Sequence, residues 1–221
     1  MPDLNKEAIE NSFIFIRRDK PTSTCGEVRA ITTQGQVISK IYTFPREGLE
    51  HVEELHTNYG DDLKGVYSTF NAIDKKSLGS RVTARDKDMA GISFIAVDID
   101  PVKAKTDQSA TDREKQFAKQ LTSSLVNYLS IEGFGKPDLL VDSGNGYHIY
   151  YRTDILLKNK VIPSEFLKAL NTVKSTAHAK IDTNVANPSR IMRIPGTYAR
   201  KGENTEERPW RLSKIIEEGQ L

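Results

Sequence analysis

Two carboxylates placed two residues apart are the residues of this sequence with the most direct chemical meaning. Asp98 and Asp100 end the apolar stretch 93–100, and an extended strand would direct both side chains to one face. Two like charges at this spacing repel each other unless a cation lies between them, and Mg²⁺ and Mn²⁺ prefer carboxylate oxygen. The pair therefore predicts a metal site on a packed strand. The solvated end of a strand is the alternative, since Pro101 would stop the ladder.

The elements around this strand predict a sheet that would hold the two carboxylates. They are, in order, a strand over residues 93–100, a helix capped at Thr111, strands over residues 138–143 and 147–152, a helix from Pro163 and a strand over residues 190–195. The order β-α-β-β-α-β is the ferredoxin-like unit of the α+β class, whose helices cover one sheet face. We therefore expect Asp98 and Asp100 on the other, open face.

Four more side chains are expected near the carboxylates. The alternation of the third strand places His148 on the open face, and Arg193 would be costly among the helices, so it should also face the open side. Asp182, just ahead of the last predicted strand, supplies a third carboxylate. Lys201, in the loop after that strand, could reach a triphosphate as a point charge.

A glycine-bounded turn between the second and third strands is a candidate phosphate site. Backbone N–H groups and one hydroxyl, without bulky side chains, form the kind of concave nest that accepts phosphate oxygen. The turn consists of Ser143, Gly144, Asn145 and Gly146.

The first 85 residues predict a smaller α/β module. The predicted elements are a strand over residues 13–16, a hairpin over residues 27–33 and 36–44, a helix from Pro45 and a strand over residues 65–70. Residues 74–91 are polar and read as the joint between two modules. We therefore divide the chain into residues 1–85 and 86–221.

Composition narrows the class of protein. With 37% hydrophobic residues in 221, and no apolar run of the roughly 20 residues that a membrane span needs, we expect a globular cytoplasmic protein without membrane contact. A single cysteine, Cys25, excludes an intrachain disulfide and a cysteine-rich zinc site. The net charge of +2 does not by itself indicate a nucleic-acid binder, but basic residues gather in the last third of the chain.

The motifs together resemble the archaeo-eukaryotic primase superfamily, and more closely the prokaryotic primase-polymerases of phages, plasmids, mobile elements and some defence loci. The matching segments are Val-Asp-Ile-Asp-Pro101, Asp-Ser-Gly-Asn-Gly-Tyr-His148, Ile-Asp182, Ser-Arg-Ile-Met-Arg-Ile-Pro-Gly-Thr197 and Lys201-Gly. They occupy residues 93–202, in the order and spacing of the family. The cysteine-rich zinc motif of many members is absent, so the resemblance implies no structural zinc.

The resemblance implies a primase-type fold, in which a small N-terminal module packs on an RRM-like catalytic module. It implies template-dependent nucleotidyl transfer with two Mg²⁺ or Mn²⁺ ions held by Asp98, Asp100 and Asp182. His148 and the turn at Ser143 would bind the triphosphate. The basic residues implied at the phosphates are Arg190, Arg193 and Lys201. A short pattern over residues 67–72 resembles one that precedes the catalytic module, which makes Asn71 a candidate for nucleotide or template contact.

The implied partners are a single-stranded DNA template, a primer strand and nucleoside triphosphates, with a helicase or further domains of a longer polypeptide. Two other classes of function stay open. One is a non-catalytic module that binds single-stranded nucleic acid on an RRM-like sheet, although such modules present aromatic side chains where this chain has acids. The other is a different metal-dependent transferase or nuclease, which only the Asp-x-Asp pattern supports.

Overall fold

A computed structural model describes residues 3–217 and 221 of the chain. The helices are α1 (Lys6–Arg17), α2 (Pro45–Tyr59), α3 (Lys75–Leu78), α4 (Asp112–Ile131) and α5 (Val161–Lys174). The strands are β1 (Thr24–Thr32), β2 (Val37–Tyr42), β3 (Leu63–Thr69), β4 (Ile73–Asp74), β5 (Ile92–Pro101), β6 (Leu139–Asp142), β7 (Tyr147–Ile155), β8 (Ala179–Asp182), β9 (Ile191–Arg193), β10 (Tyr198–Ala199), β11 (Arg211–Leu212) and β12 (Lys214–Ile215). In the described part of the chain, no helix is both long and apolar enough to cross a bilayer.

The sheet that carries Asp98 has the strand order β12-β6-β7-β5-β8, and all its pairs are antiparallel. The succession β5-α4-β6-β7-α5-β8 is the predicted ferredoxin-like unit, so the α+β class is confirmed. Its fourth strand, however, is β8, and the prediction of residues 190–195 as that strand is wrong. The four-residue β8 ends at Asp182, which therefore lies within the sheet.

Side chains alternate along β5, and every second one points to the sheet face that the helices cover, as predicted. Val97 and Ile99 are fully buried and share one core with Leu125 of α4 and Leu167 of α5. The predicted cap of α4 is also present: the Thr111 hydroxyl accepts from the Glu114 amide at 3.1 Å, and Glu114 accepts from the Thr111 amide at 2.8 Å. The core packing and the capped helix α4 together hold the strand that bears the carboxylates.

The first sheet has the order β2-β1-β3-β9, with β4 paired to β1. The hairpin of β1 and β2 and the helix from Pro45 confirm the sequence-based prediction. The predicted strand over residues 13–16 is wrong, because these residues belong to α1. Asn5 caps that helix, and Ile9 and Phe13 are one helical turn apart and fully buried. A short apolar run does not by itself distinguish a helix from a strand.

The strand β9 returns the chain to the first sheet, where Arg193 pairs with Tyr67 of β3. Residues 191–193 therefore belong structurally with the N-terminal module, although they lie far beyond residue 85 in sequence. The predicted joint is folded as well. It contains β4 and α3, and a small core with Cys25, Ile73 and Met89.

The face of the second sheet that we expected to be open is largely covered. Phe94 and Tyr150 point to this face. Phe94 packs against Phe15 of α1 with tilted rings 4.9 Å apart between centroids, and Tyr150 packs edge-on against Phe70 at 5.8 Å. The expectation of an uncovered face is thus wrong for the middle of the sheet. The two sheets separate only beyond this contact, near Asp98.

Candidate active site

A cavity of about 190 Å³ lies between the two sheets at the Asp98 end of β5. The second sheet and its glycine turn contribute Asp98, Asp100, Ser143, Asn145 and His148 to its lining. The first sheet and the loop after β9 contribute Lys64, Tyr67, Ile191, Met192, Arg193, Arg200 and Lys201. The cavity therefore has an acidic wall and a basic wall from different sheets.

The three predicted carboxylates lie on adjacent strands. Asp98 and Asp182 are direct partners in the antiparallel pairing of β5 and β8, and Asp100 follows two residues later on the same face. The Asp98 side chain is only 19% exposed. Burial, followed by the charges of Asp100 and Asp182, raises the pKa of Asp98 well above its ordinary value. Carboxylates held in this way are suitable ligands for a hard divalent cation.

The Asp182 carboxylate caps the turn that follows β8. Its Oδ1 accepts hydrogen bonds from the backbone N–H and the Nδ2 of Asn184, both at 2.9 Å. Within residues 3–217 and 221, no three Asp, Glu, His or Cys side chains are already close enough to hold a metal ion. The donor types and strand positions fit divalent cations, although Asp182 is not among the residues that line the cavity.

His148 lies directly opposite Asp98 in the pairing of β5 and β7, with its Nε2 3.6 Å from Asp98 Oδ1. Burial, and then the positive charge of Arg193, lowers the pKa of His148 to about 3, so the ring is neutral at pH 7. The Tyr150 hydroxyl is 3.4 Å from His148 Nδ1. Burial and the Asp98 charge raise the pKa of Tyr150, so this hydroxyl keeps its proton. When it donates to His148 Nδ1, the ring proton lies on Nε2, on the side of Asp98.

The glycines of the turn permit close packing against neighbouring strands. A Cβ at Gly146 would lie 2.1 Å from the carbonyl oxygen of Ile99 in β5. Gly144 has a φ of +94°, and a Cβ there would lie 2.6 Å from that of Ala199. The glycine positions thus hold the turn against β5 and β10, beside the carboxylates.

Most amides of this turn are not available to a ligand. The Ser143 N–H donates to the Gly146 carbonyl at 3.0 Å, the Gly144 N–H to Asp142 Oδ1 at 2.8 Å, and the Gly146 N–H to Ser143 Oγ at 3.1 Å. Only the Asn145 N–H has no partner among the described residues. The expected nest of several free amides is therefore reduced to one amide and the Ser143 hydroxyl.

Arg193 faces the cavity as expected, but it does so from the first sheet. Its Nη1 donates to the Tyr198 carbonyl at 2.8 Å, its Nη2 donates to the Tyr67 hydroxyl at 3.0 Å, and the guanidinium lies 4.9 Å from the Tyr67 ring centroid. These contacts hold a partly buried positive charge opposite the acidic wall.

Lys201 and Arg190 occupy different positions relative to the cavity. Lys201 contributes to the lining, whereas Arg190 does not. The Arg190 guanidinium donates to the Asn184 carbonyl, and its Nε is buried without a partner in the described structure. The positive charges of both residues oppose the rise in the Asp98 pKa.

Asn71 is buried and does not line the cavity. Its Oδ1 accepts from the Ser93 and Phe94 amides at 2.8 and 3.0 Å, and its Nδ2 donates to the Pro188 carbonyl at 3.1 Å. The expected direct contact with nucleotide does not fit this position. Asn71 instead ties the start of β5 to the segment that precedes β9.

Five cavity residues were not among the predicted site residues: the apolar Ile191 and Met192, and Lys64, Tyr67 and Arg200, which carry polar or charged groups. Arg200 is 5% exposed, donates to the Gly60 carbonyl at 2.8 Å and pairs with Asp61 at 3.1 Å. Its position beside Lys201 in sequence was the only signal for it. Lys64 and Tyr67 reach the cavity because β9 pairs with β3, which no local pattern indicates.

Neither a family model nor a curated protein sequence matches the chain. Several solved structures are similar to the chain. Primase RepB′ is similar with a TM-score of 0.55 at 14% identity, over 96% of this chain and 56% of that one. The catalytic domain of primase RepB′ in complex with initiator DNA also gives 0.55 and 14%, over 97% of this chain and 85% of that one.

The polymerase domain of Ligase D from Mycobacterium tuberculosis, in complex with DNA, is similar with a TM-score of 0.52 at 11% identity, over 94% of this chain and 78% of that one. The chain spans about half of the longer RepB′ chain. Similarity at these identities concerns the fold, which this chain shares with these primase and polymerase domains.

Proposed function

We propose that the chain is a DNA primase-polymerase, which starts and extends primers on single-stranded DNA by template-dependent nucleotidyl transfer. The observation that supports this most strongly is the face shared by Asp98, Asp100 and Asp182 on two paired strands, opposite a basic wall. Phosphoryl transfer depends on positioning and on neutralising charge more than on covalent catalysis. This chemistry needs acidic side chains that bind metal ions and basic side chains that bind phosphates.

The acidic wall would hold the catalytic metal. Asp98, Asp100 and Asp182 are the ligands that we assign to two Mg²⁺ or Mn²⁺ ions, which when bound would activate the primer 3′-hydroxyl and neutralise the triphosphate. The carboxylates place these charges at the cavity floor. A bound cation would offset the burial and the neighbouring negative charges that raise the pKa of Asp98.

The other cavity residues would position the nucleoside triphosphate. His148 Nε2–H, the Ser143 hydroxyl and the free Asn145 amide are the neutral donors. Arg193 and Lys201 would offset the negative charge of the phosphates, and Arg193 is already oriented by Tyr67 and Tyr198. We assign Arg190 a supporting role through its charge near Asp98.

A module that only binds nucleic acid would have a different charge distribution. The two carboxylates that line the cavity, with Asp182 on the adjacent strand, repel phosphate unless cations intervene, so this wall weakens simple binding. The similar structures of the RepB′ catalytic domain and of the Ligase D polymerase domain are complexes with DNA, which favours DNA as the template here. We also propose a helicase or further domains as partners in priming.

An assay with unprimed single-stranded DNA, a mixture of deoxyribo- and ribonucleotides and Mg²⁺ or Mn²⁺ tests the proposal. Wild type should form labelled products, whereas Asp98→Asn and Asp182→Asn should not. Glu165→Gln is the matched control, because this carboxylate is 64% exposed and lies on the outer helix α5. Equal product from all four proteins, or product without a divalent cation, would refute the proposal.

A further inference from the structure

A second groove, of about 460 Å³, lies between the C-terminal half of α1 and the junction of β2 with α2. Its lining combines aromatic with basic residues, among them Phe15, Arg18, Lys20 and Phe44. No Asp or Glu is part of that lining in the described structure. The proposed catalytic cavity does not share any of these residues.

Phe44 is an unusual residue for its position. It is the N-cap of α2, where a residue with a side-chain acceptor is normally favoured, and it is 54% exposed. The helix start is capped instead by Glu47, whose Oε2 accepts from the Thr43 and Phe44 amides at 2.7 and 3.2 Å. The exposed ring therefore serves neither the cap nor the core, which points to a binding role.

Positive charge is concentrated around the groove. The Arg18 side chain is 72% exposed, and the Arg152 guanidinium lies 5.6 Å from the Phe15 ring centroid and 4.8 Å from that of Phe94. Lys20 donates to Ser93 Oγ at 2.6 Å. Burial, and then the charge of Arg152, lowers the pKa of Lys20. The acids beside this cluster, Asp19 and Asp154, are both exposed.

The groove is connected to the cavity along one pair of strands. Phe94 pairs with Arg152, and Asp98 pairs with His148, on the same face of β5 and β7. Four residues of strand separate the two pairs, which is about 13 Å. This distance is short enough for one strand of nucleic acid to contact both sites, although the packing of Phe94 against Phe15 and of Tyr150 against Phe70 covers the face between them.

We propose that this groove binds a segment of single-stranded DNA outside the catalytic cavity, with a base stacked on Phe44 and phosphates held by Arg18, Lys20 and Arg152. The inference rests on the proposed function for the identity of the polymer. An exposed aromatic ring among cations is the combination that single-strand binding uses. A larger depression of about 700 Å³ at Asp3, Lys6, Glu53 and His56 has mixed charge and lacks such a ring.

Fluorescence anisotropy with a labelled oligothymidylate, in EDTA and without nucleotide, tests the groove separately from catalysis. Phe44→Ser should weaken binding about tenfold, within the range for loss of one base stack. Serine is also a favourable N-cap, so the variant should keep its stability. Arg18→Gln should weaken binding at low salt and reduce the slope of log K against log[salt] by about one.

Matched controls are Val37→Ser, another exposed apolar residue at 57%, and Lys168→Gln on the outer helix α5, and both should bind as wild type does. Affinities of Phe44→Ser and Arg18→Gln within twofold of wild type would overturn the proposal. Displacement of the DNA by poly-glutamate at equal charge concentration would also overturn it in favour of an acidic peptide ligand. Neither result would bear on nucleotidyl transfer, which the Asp98→Asn comparison tests independently.

Discussion

The two walls of the cavity are built in different ways. On the acidic wall, Asp98 and Asp182 are held in position by backbone pairing between β5 and β8. On the basic wall, Arg193 lies on a three-residue strand, and its guanidinium is held by the Tyr67 hydroxyl and the Tyr198 carbonyl. Strand register thus places both walls, and on the basic wall side-chain and backbone contacts also fix the guanidinium. Neither sheet alone has both kinds of charge at the cavity.

This difference predicts different consequences when each wall is changed. Loss of an acid should remove cation binding and therefore chemistry, with the fold intact. Loss of a basic residue should weaken nucleotide binding, and the basic wall should be the easier one to displace by a small change nearby. Four substitutions separate these effects.

The largest effect is expected on the acidic wall. Asp100→Asn keeps the shape of the side chain but removes one charge, and we expect extension of a pre-annealed primer to fall by about 10³-fold, the upper range for loss of one electrostatic stabiliser. Primer extension under single-turnover conditions, over a series of Mg²⁺ concentrations, measures it. Glu165→Gln, at an exposed acid of the outer helix α5, is the control. A loss of less than tenfold would remove Asp100 from the proposed metal ligands.

On the basic wall, Arg193→Gln removes the positive charge of the side chain and keeps an N–H hydrogen-bond donor. We expect kcat/KM for the nucleotide to fall by about 10²-fold, mainly through KM, because the charge acts on phosphates and not on the metal ligands. Steady-state extension with varied nucleotide concentration measures this. An unchanged KM would place Arg193 outside the nucleotide site and leave the basic wall without its central residue.

A smaller effect should follow from crowding the basic wall. A Cβ at Gly65 would lie 2.6 Å from the Tyr67 hydroxyl and 2.7 Å from Arg193 Nη1, both ends of flexible side chains. Gly65→Ala should therefore fold but displace the pair and reduce kcat/KM by about tenfold. Gly91→Ala is the control, since its Cβ would meet only a carbonyl oxygen at 3.5 Å. Equal activity of both variants would show that the orientation of Arg193 is unimportant.

The smallest effect concerns the loop that brings Lys201 to the basic wall. Arg208 in this loop pairs with Glu114 of α4 at 2.8 Å, and the Glu114 side chain is 17% exposed. Burial alone would raise the pKa of Glu114, but hydrogen bonds from Arg208 and Thr111 outweigh it and lower the pKa. A lowered carboxyl pKa stabilises the fold above the unfolded value of about 4.3, and this stabilisation is lost as pH falls through the folded value.

Glu114→Gln should therefore lower the free energy of unfolding by about 1 kcal/mol at pH 7 and by much less at pH 3. Urea unfolding at the two pH values measures the difference. Glu165→Gln, which removes a surface pair with Lys168 at 2.9 Å, should change little at either pH. The same loss for Glu114→Gln at both pH values would mean that packing, not charge, holds this contact.

Much of the second sheet was predictable because its signals are local. The capping box at Thr111, the alternation of Val97 and Ile99 and the glycine turn each depend on a few neighbouring residues. The strand predicted over residues 13–16 failed for the same reason, since four apolar residues fit either period. Asn71 was assigned by resemblance to a short pattern, and its hydrogen bonds to Ser93 and Phe94 could not be read from that pattern.

The sequence by itself determined that Asp98 and Asp100 share a face, because side chains alternate along an extended strand whatever surrounds it. Only the tertiary structure decided that β8, ending in Asp182, would pair beside them, and that β9 would join the first sheet and bring Arg193 to the opposite wall. Strand pairing joins residues that are distant in the chain, and it depends on how whole sheets pack. The spacing of apolar residues along one strand therefore contains no information about which strands will pair.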